Sequence, residues 1–164
     1  PAIAEVVRVA ADADARRIGW TEWTYYNTGH TNFAGSYSIV LDPTKPPVGD
    51  NLDNGLLLAL ARPYPQVTAG TPQSWAFDPD SREFSLTYTS ERADGHGSFP
   101  AGSESIVVVP RIQYGDGYAV VVTGAQVVSA PGATLLRLTS CAGAAQVTLK
   151  ITSGSGISAN CAPG

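Results

Sequence analysis

The chain has 164 residues, of which 43% are apolar and 15% are charged, a composition typical of one or two folded globular domains. The formal net charge of −4, with no run of Lys and Arg, excludes the usual electrostatic footprint of nucleic-acid binding and of anionic membrane binding. The 17 glycines and 12 prolines favour many short elements joined by turns.

The chain opens on a pattern typical of an amphipathic helix. Apolar residues recur at helical spacing over residues 1–17, at Ile3, Val6, Val7 and Ala10. No leader, transmembrane run or initiator Met precedes this pattern. We therefore expect the chain to be a fragment or a processed product of a longer protein.

Three further segments complete the first part of the chain. Residues 19–26 (GWTEWTYY) form an aromatic, Thr-rich run that predicts a strand. Residues 27–49 are polar and rich in turn formers, and loops of that length are usually functional or disordered. Residues 50–61 predict a short apolar helix, because the prolines of residues 62–65 (RPYP) prevent its continuation.

From Gln66 onward the apolar period changes from helical spacing to two. Turn signals that contain Asp, Gly and Pro separate the alternating segments, which predicts seven or eight short strands. That number of strands over about a hundred residues favours an antiparallel β-sandwich. The alternating residues are Trp75/Phe77, Phe84/Leu86/Tyr88, Ile106/Val108, Tyr118/Val120/Val122, Leu136/Leu138 and Val147/Leu149/Ile151.

The two parts differ in what they need in order to fold. A single strand between two helices, as predicted within residues 1–62, cannot bury both of its faces alone. It needs neighbouring strands at its edges and helices on both sides. We therefore expect residues 1–62 to be the last α-β-α part of a (β/α)8 TIM barrel. Residues 63–164 are expected to form the sandwich, so the fold class is α/β plus all-β.

Two cysteines, Cys141 and Cys161, flank a strand-like run near the C-terminus. They are placed either to close one disulfide, with a stabilisation of about 3 kcal/mol on a loop-entropy estimate, or to remain two free thiols. A disulfide would imply an oxidising compartment. Two cysteines without a further Cys or His pair do not make a zinc site, and we expect neither a metal nor a cofactor.

Two segments resemble endoglycoceramidases of glycoside hydrolase family 5. The run 19–26 is similar to the segment that follows the nucleophile motif in that family. The junction formed by residues 62–65 (RPYP) and 70–78 (GTPQSWAFD) is similar to the passage from the barrel into its C-terminal sandwich. The resemblance extends along nearly the whole chain, and the junction is its most specific part.

The resemblance implies a site at the end of the last barrel strand. In the family, a tryptophan of that strand lines the subsite of the sugar that is cleaved, and its position falls on Trp23. Tyr25, Tyr26 and the loop residue His30 are then expected to shape the surroundings of that sugar. From the residues alone, the aromatic side chains are better explained as filling the core of the barrel than as forming a site, and the resemblance reverses that preference for Trp23.

The resemblance also implies the reaction, which is retaining hydrolysis of the β-glycosidic bond between the glycan and the ceramide of glycosphingolipids. Both catalytic glutamates are expected upstream of Pro1, in a partner portion of about 200 to 300 residues that belongs to the same protein. The whole protein is expected to be secreted. The sandwich is expected to pack on the barrel and to make transient contact with a lipid surface.

Other candidate residues have simpler interpretations. Glu22 alternates with Trp23, so it would face away from the sugar and serve a structural role rather than a catalytic one. His96 and the Asp-bearing turns at Asp78, Asp80, Asp94 and Asp116 are ordinary turn formers, although such turns also occur in calcium-dependent lipid-binding domains.

Three rival functions remain open on the sequence. The sandwich would be a carbohydrate- or lipid-binding module without catalysis, or a structural domain that stabilises the barrel. The whole protein would alternatively be a related family 5 enzyme that cleaves another β-glucoside or β-galactoside.

Overall fold

The fold is taken from a computed structural model, which describes residues 2–22, 25, 38–115 and 117–161. The chain divides into two compact units, Pro1–Ala61 and Arg62–Gly164. The predicted domain boundary, between residues 62 and 63, lies one residue from this division. Within the described residues, none of the helices has the length and apolarity needed to cross a bilayer.

The first unit contains helix α1, Ala2–Arg16. Its apolar stripe is buried at Val6, Ala10 and Ala13, whereas Ile3 is 42% exposed. Val6 belongs to a small apolar cluster with residues of the next helix. The amphipathic pattern therefore positions α1 as predicted, with one face turned inward.

The second helix, α2, spans Asn54–Leu60 and follows a single 3-10 turn at Gly49–Asn51. The helix predicted over 50–61 thus begins later than expected. The reason is its cap, because the Asp53 carboxylate accepts a hydrogen bond of 2.9 Å from the Leu56 N–H. An N-cap carboxylate fixes the first residue of a helix by satisfying an N–H group that has no intrahelical partner.

The strand predicted over 19–26 is not formed by the described residues of that segment, 19–22 and 25. For those residues the prediction is wrong. A strand requires a ladder of hydrogen bonds to a neighbouring strand, and residues 19–22 and 25 belong to no such ladder. The Tyr25 carbonyl accepts a hydrogen bond of 2.8 Å from the Val40 N–H. Residues 23, 24 and 26 lie outside the described residues.

The described part of the second unit forms a β-sandwich of two sheets. The first has the strand order β1-β4-β7-β6 and the second has the order β2-β3-β8-β5-β9. Neighbouring strands are antiparallel, except that β5 and β9 are parallel. The strands are β1 (Tyr64–Val67), β2 (Thr71–Asp78), β3 (Glu83–Thr89), β4 (Glu104–Val108), β5 (Tyr118–Thr123), β6 (Ala125–Val127), β7 (Leu135–Ser140), β8 (Gln146–Ser153) and β9 (Gly156–Asn160).

The core lies between the two sheets, and both contribute alternate residues to it. A short helix, α3 (Arg111–Tyr114), joins β4 to β5 and adds Tyr114 to the same core. The antiparallel sandwich predicted from the period-two pattern is therefore present in the described residues. The most deeply buried side chains include Phe84, Leu86, Tyr88, Val107, Val120, Val122, Leu136, Leu138, Val147 and Ile151.

Strand β4 departs from the predicted alternation. Ser105, Val107 and Val109 are buried, whereas Ile106 and Val108 are half-buried and face outward. The sequence had paired Ile106 with Val108. Residues 106–109 are all apolar, so hydrophobicity alone does not decide which alternate residues face the core.

Candidate functional site

The predicted sugar site falls largely outside the described residues. Trp23, Tyr26 and His30 are all in that undescribed part of the chain, so their assignments stay predictions. Tyr25 is described, and its side chain is 59% exposed. The role predicted for Tyr25 stays a prediction as well.

The residues just before this site are only partly covered. Trp20 and Glu22 are half-buried, and both lie in irregular backbone that follows α1. The expectation that Glu22 and Trp23 point to opposite faces depends on strand geometry. Since the described neighbours form no strand, that opposition stays a prediction.

The described chain resumes at Ser38, in a segment that is held by hydrogen bonds up to the start of α2. Ser38 and Val40 are 2% and 3% exposed. Val40 pairs with Leu52 in an isolated antiparallel bridge, and the Asp53 N–H donates to the Ile39 carbonyl over 2.9 Å. These contacts fix the backbone of residues 38–40 beside the start of α2.

Asn51 organises the loop of residues 42–51 through its side-chain amide. Its Oδ1 accepts from the Asp42 N–H at 2.8 Å. Its Nδ2 donates to the carbonyls of Asp42 and Pro46 at 2.9 and 3.0 Å. A single side chain therefore replaces several backbone hydrogen bonds and keeps the loop compact.

The carboxylate of Asp42 lies at the centre of the hydrogen bonds of this loop. It accepts from the Thr44 hydroxyl at 2.6 Å and from the Thr44 N–H at 3.0 Å, and Lys45 Nζ lies 2.9 Å away. The Thr44 hydroxyl, followed by Lys45 and the Thr44 N–H, lowers the pKa of Asp42 to about 2. A carboxylate held ionised in this way is unsuited to donate a proton at neutral pH.

Inside the sandwich, one polar chain crosses the core. Ser105 Oγ donates to the Tyr88 hydroxyl over 2.9 Å, and the Ala69 N–H donates to Ser105 Oγ over 2.9 Å. Burial raises the pKa of Tyr88, and the hydrogen bond to Ser105 opposes this rise. Both buried hydroxyls are paired, so the arrangement is structural. Sequence reasoning did not identify it, because a Ser in a strand carries no distinctive signal.

In the Asp-bearing turns at Asp78 and Asp94, the Asp carboxylates accept hydrogen bonds from groups two or three residues later in the same turn. The Asp78 carboxylate accepts from the Asp80 N–H and the Ser81 hydroxyl at 3.0 and 2.6 Å, which lowers the pKa of Asp78. Asp94 accepts from the His96 N–H at 2.9 Å. Among the described residues, which leave out Asp116, no group of three or more His, Cys, Asp or Glu side chains is placed to hold a metal ion.

The four-stranded sheet turns an apolar surface away from the core, which we call the outer apolar face. Cross-strand pairing places Tyr64, Val108 and Leu135 in one row and Val67, Ile106 and Arg137 in the next. Val128 lies beside Arg137, whose Nη1 donates to Glu104 at 2.8 and 2.9 Å. Tyr64, Val67, Val128 and Leu135 are 41–54% exposed.

Comparison with known proteins places this sandwich among glycosidase domains. Residues 62–152 match the family model described as the glycoside hydrolase family 5 C-terminal domain. Over 141 residues, the chain is 35% identical to Endoglycoceramidase I from Rhodococcus hoagii (strain 103S). The matched part is 86% of this chain and 23% of that protein.

Solved glycosidase structures also match this chain. The complex of endo-glycoceramidase II from Rhodococcus sp. with ganglioside GM3 matches with a TM-score of 0.56 at 26% identity, over 93% of this chain and 28% of that one. Sterylglucosidase 1 of Cryptococcus neoformans shares the fold. It matches with a TM-score of 0.50 at 22% identity, over 61% of this chain and 15% of that one. The chain thus spans less than a third of the length of these relatives.

Proposed function

Since this chain belongs to the glycoside hydrolase family 5 C-terminal domain, we propose that it is the C-terminal part of a secreted, retaining glycosidase that separates glycan from ceramide in glycosphingolipids. The observation that carries this proposal is the 35% identity to Endoglycoceramidase I over 86% of this chain. The complex of endo-glycoceramidase II with ganglioside GM3 supports a glycosphingolipid as the substrate class. The disulfide between Cys141 and Cys161 supports an oxidising compartment.

In the proposed reaction, this chain supplies side chains that surround the sugar, and it does not supply the two reacting carboxylates. A retaining glycosidase places two carboxyl groups about 5 Å apart on either side of the scissile bond. We assign both to the barrel portion that precedes residue 1, as the partner of this chain within the same protein. Residues 1–62 then complete the barrel, and Trp23, Tyr25, Tyr26 and His30 surround the sugar.

Trp23 provides the sharpest test of this assignment. An indole face presents a flat apolar surface to the C–H face of a sugar ring. Burial of an aromatic side chain contributes about 1.5–3 kcal/mol, so Trp23→Ala in the longer enzyme is expected to reduce kcat/KM about 10- to 150-fold. The substrate for the assay is a glycosphingolipid in detergent micelles.

Two controls complete this test. Trp23→Phe keeps an aromatic face and is expected to retain most of the activity. Trp20→Ala removes a half-buried indole three residues earlier, outside the proposed subsite. The proposed role of Trp23 would be contradicted if Trp23→Ala kept wild-type kcat/KM. It would also be contradicted if the loss of activity matched the loss of folded protein.

A second function is favoured by the outer apolar face, which we propose contacts the lipid aggregate that carries the substrate. Exposed apolar surfaces with a polar rim commonly mark interaction sites. The charges of Arg137 and Glu104 balance within this face, which suits an uncharged lipid surface better than an anionic one. Such contact would bring the enzyme to an amphiphilic substrate.

Two exposed valines allow a matched comparison of this second function. Val128 lies on the outer apolar face and is 54% exposed, whereas Val121 on the five-stranded sheet is 53% exposed. Val128→Ser is expected to weaken co-sedimentation of the protein with phosphatidylcholine vesicles that contain a glycosphingolipid, and Val121→Ser is not. Equal binding by both variants would contradict lipid contact through this face.

A further inference from the structure

Strand β9 differs from the strand that it pairs with, β5, in having no buried side chain. All five residues of Gly156–Asn160 are exposed, and the strand lies at the edge of its sheet, paired with β5. Its partner strand β5 buries Tyr118, Val120 and Val122 in the core. Burial of apolar surface, which stabilises the rest of the sandwich, therefore contributes little to holding β9.

The end of β9 is instead attached to the segment that follows β7. The Gly124 N–H donates to the Asn160 carbonyl over 2.8 Å, and the Gly124 carbonyl accepts from the Cys141 N–H over 3.0 Å. The disulfide joins Cys141 to Cys161 with a Cα–Cα distance of 5.4 Å. It thus links the end of a strand in the four-stranded sheet to the end of an edge strand in the five-stranded sheet.

One partner of this attachment follows the residues that match the family model. The family match covers residues 62–152, so β9 and Cys161 come after it. Cys141 is buried and Cys161 is half-buried, so one sulfur lies close to the surface. The disulfide is thus placed where a reductant reaches one of its sulfurs from solvent.

We propose that the Cys141–Cys161 disulfide is a latch that holds β9 against β5, and that its reduction releases β9 while the other strands stay folded. In the reduction, a dithiol gives two electrons and two protons to the S–S bond. Two cysteine thiols form, and the dithiol becomes a disulfide. Release leaves the edge of β5 without its partner strand, and an unpaired edge is open to association with another chain. This inference does not rest on the proposed enzymatic function.

The test compares the oxidised chain with the same folded chain after treatment with dithiothreitol, by hydrogen–deuterium exchange and mass spectrometry. The latch predicts that peptides covering residues 156–160 lose their slow exchange on reduction. Those covering 83–89 and 146–153 are expected to keep it. Reduction of the folded wild-type chain avoids any failure of a variant to fold.

A second variant checks that the effect arises from the bond itself. The double substitution Cys141→Ser and Cys161→Ser is expected to show the exchange of the reduced chain, with or without dithiothreitol. Unchanged protection of residues 156–160 after reduction would overturn the proposal, because pairing with β5 would then suffice. Loss of protection throughout the sandwich would also overturn it, since the bond would then stabilise the whole domain.

Discussion

Asp42 is the described carboxyl group whose ionisation most clearly reports local structure. Its pKa is lowered to about 2 from an ordinary 3.8, so folding favours the ionised form. Its contribution to stability is therefore complete above pH 3.8 and is lost as the pH falls through about 2. The loop of residues 42–51 is expected to loosen over the same pH range.

The first prediction concerns the group that contributes most to this shift. Replacing Thr44 by Ala removes the hydroxyl that donates to Asp42, and the pKa of Asp42 is expected to rise towards 3.8. Thr44→Ser keeps the hydroxyl and is expected to keep the low pKa. Titration of the carboxyl carbon by NMR measures both. The same pKa in the two variants would contradict the assigned cause.

The second prediction concerns the buried hydroxyl pair. Ser105→Ala leaves the Tyr88 hydroxyl and the Ala69 N–H without the partner that they share in the core. An unsatisfied buried polar group costs about 1–3 kcal/mol. The free energy of unfolding is therefore expected to fall by about 1–3 kcal/mol or more, because two groups lose their partner. Chemical denaturation measures the change.

The matched control is Ser85→Ala, which removes an exposed hydroxyl from strand β3. Exposed substitutions of this kind change stability by about 0.5 kcal/mol or less. If Ser105→Ala were no more destabilising than Ser85→Ala, the buried pair would contribute little. That result would contradict its structural role.

At the scale of single residues, the burial of Ser105 could not be predicted from the sequence. The two cysteines were identified because their number and spacing restrict what they can do. A serine in a strand faces either the core or solvent, and only the register of the strand decides which. In β4 the apolar run 106–109 leaves that register open, so neither Ser105 nor its partner Tyr88 was predicted as a polar pair.

At the scale of elements, Gly124 is a position where the backbone leaves no room for a side chain. It has a φ of +82° between β5 and β6, and a Cβ there would overlap the backbone carbonyl oxygen of Gln146. Gly124→Ala therefore combines an unfavourable backbone conformation with a steric clash. We expect a destabilisation of about 2–5 kcal/mol, from the typical costs of the two effects.

Gly102 is the natural control for this third prediction. Its φ is +81°, and no atom lies within 4 Å of where a Cβ would be. Gly102→Ala is expected to cost about 1–2 kcal/mol through backbone strain alone. Thermal unfolding followed by circular dichroism compares the two variants. Equal melting temperatures would show that the close approach at Gly124 is not limiting.

The elements of the two units were predicted with unequal success, for a physical reason. Strands of the sandwich bury one face, so alternation marks most of them, including β3, β5 and β8. Strands β1, β6 and β9 were missed, because β1 contains Pro65, β6 has three residues and β9 has no buried face. Within the predicted strand at 19–26, the described residues 19–22 and 25 form no strand, although the aromatic composition is typical of one. Composition does not supply the neighbouring strand that a ladder requires.

At the scale of the whole molecule, the most informative signal was the junction at residues 62–65 and 70–78. It led to the family before any fold was known, and the match to the family 5 C-terminal domain over residues 62–152 confirms that identification. The complete sugar site could not be predicted from this sequence. A glycosidase site is assembled from several barrel strands, and this chain spans 23% of Endoglycoceramidase I.

The central claim is that the longer protein containing this chain is an endo-acting glycosidase of glycosphingolipids. The most direct measurement is product analysis by mass spectrometry after the longer protein is incubated with ganglioside GM3. We predict two products, the intact oligosaccharide and free ceramide, with no shortened glycolipid. Release of single sugars from the outer end of the glycan, or no cleavage by a folded preparation, would contradict the account.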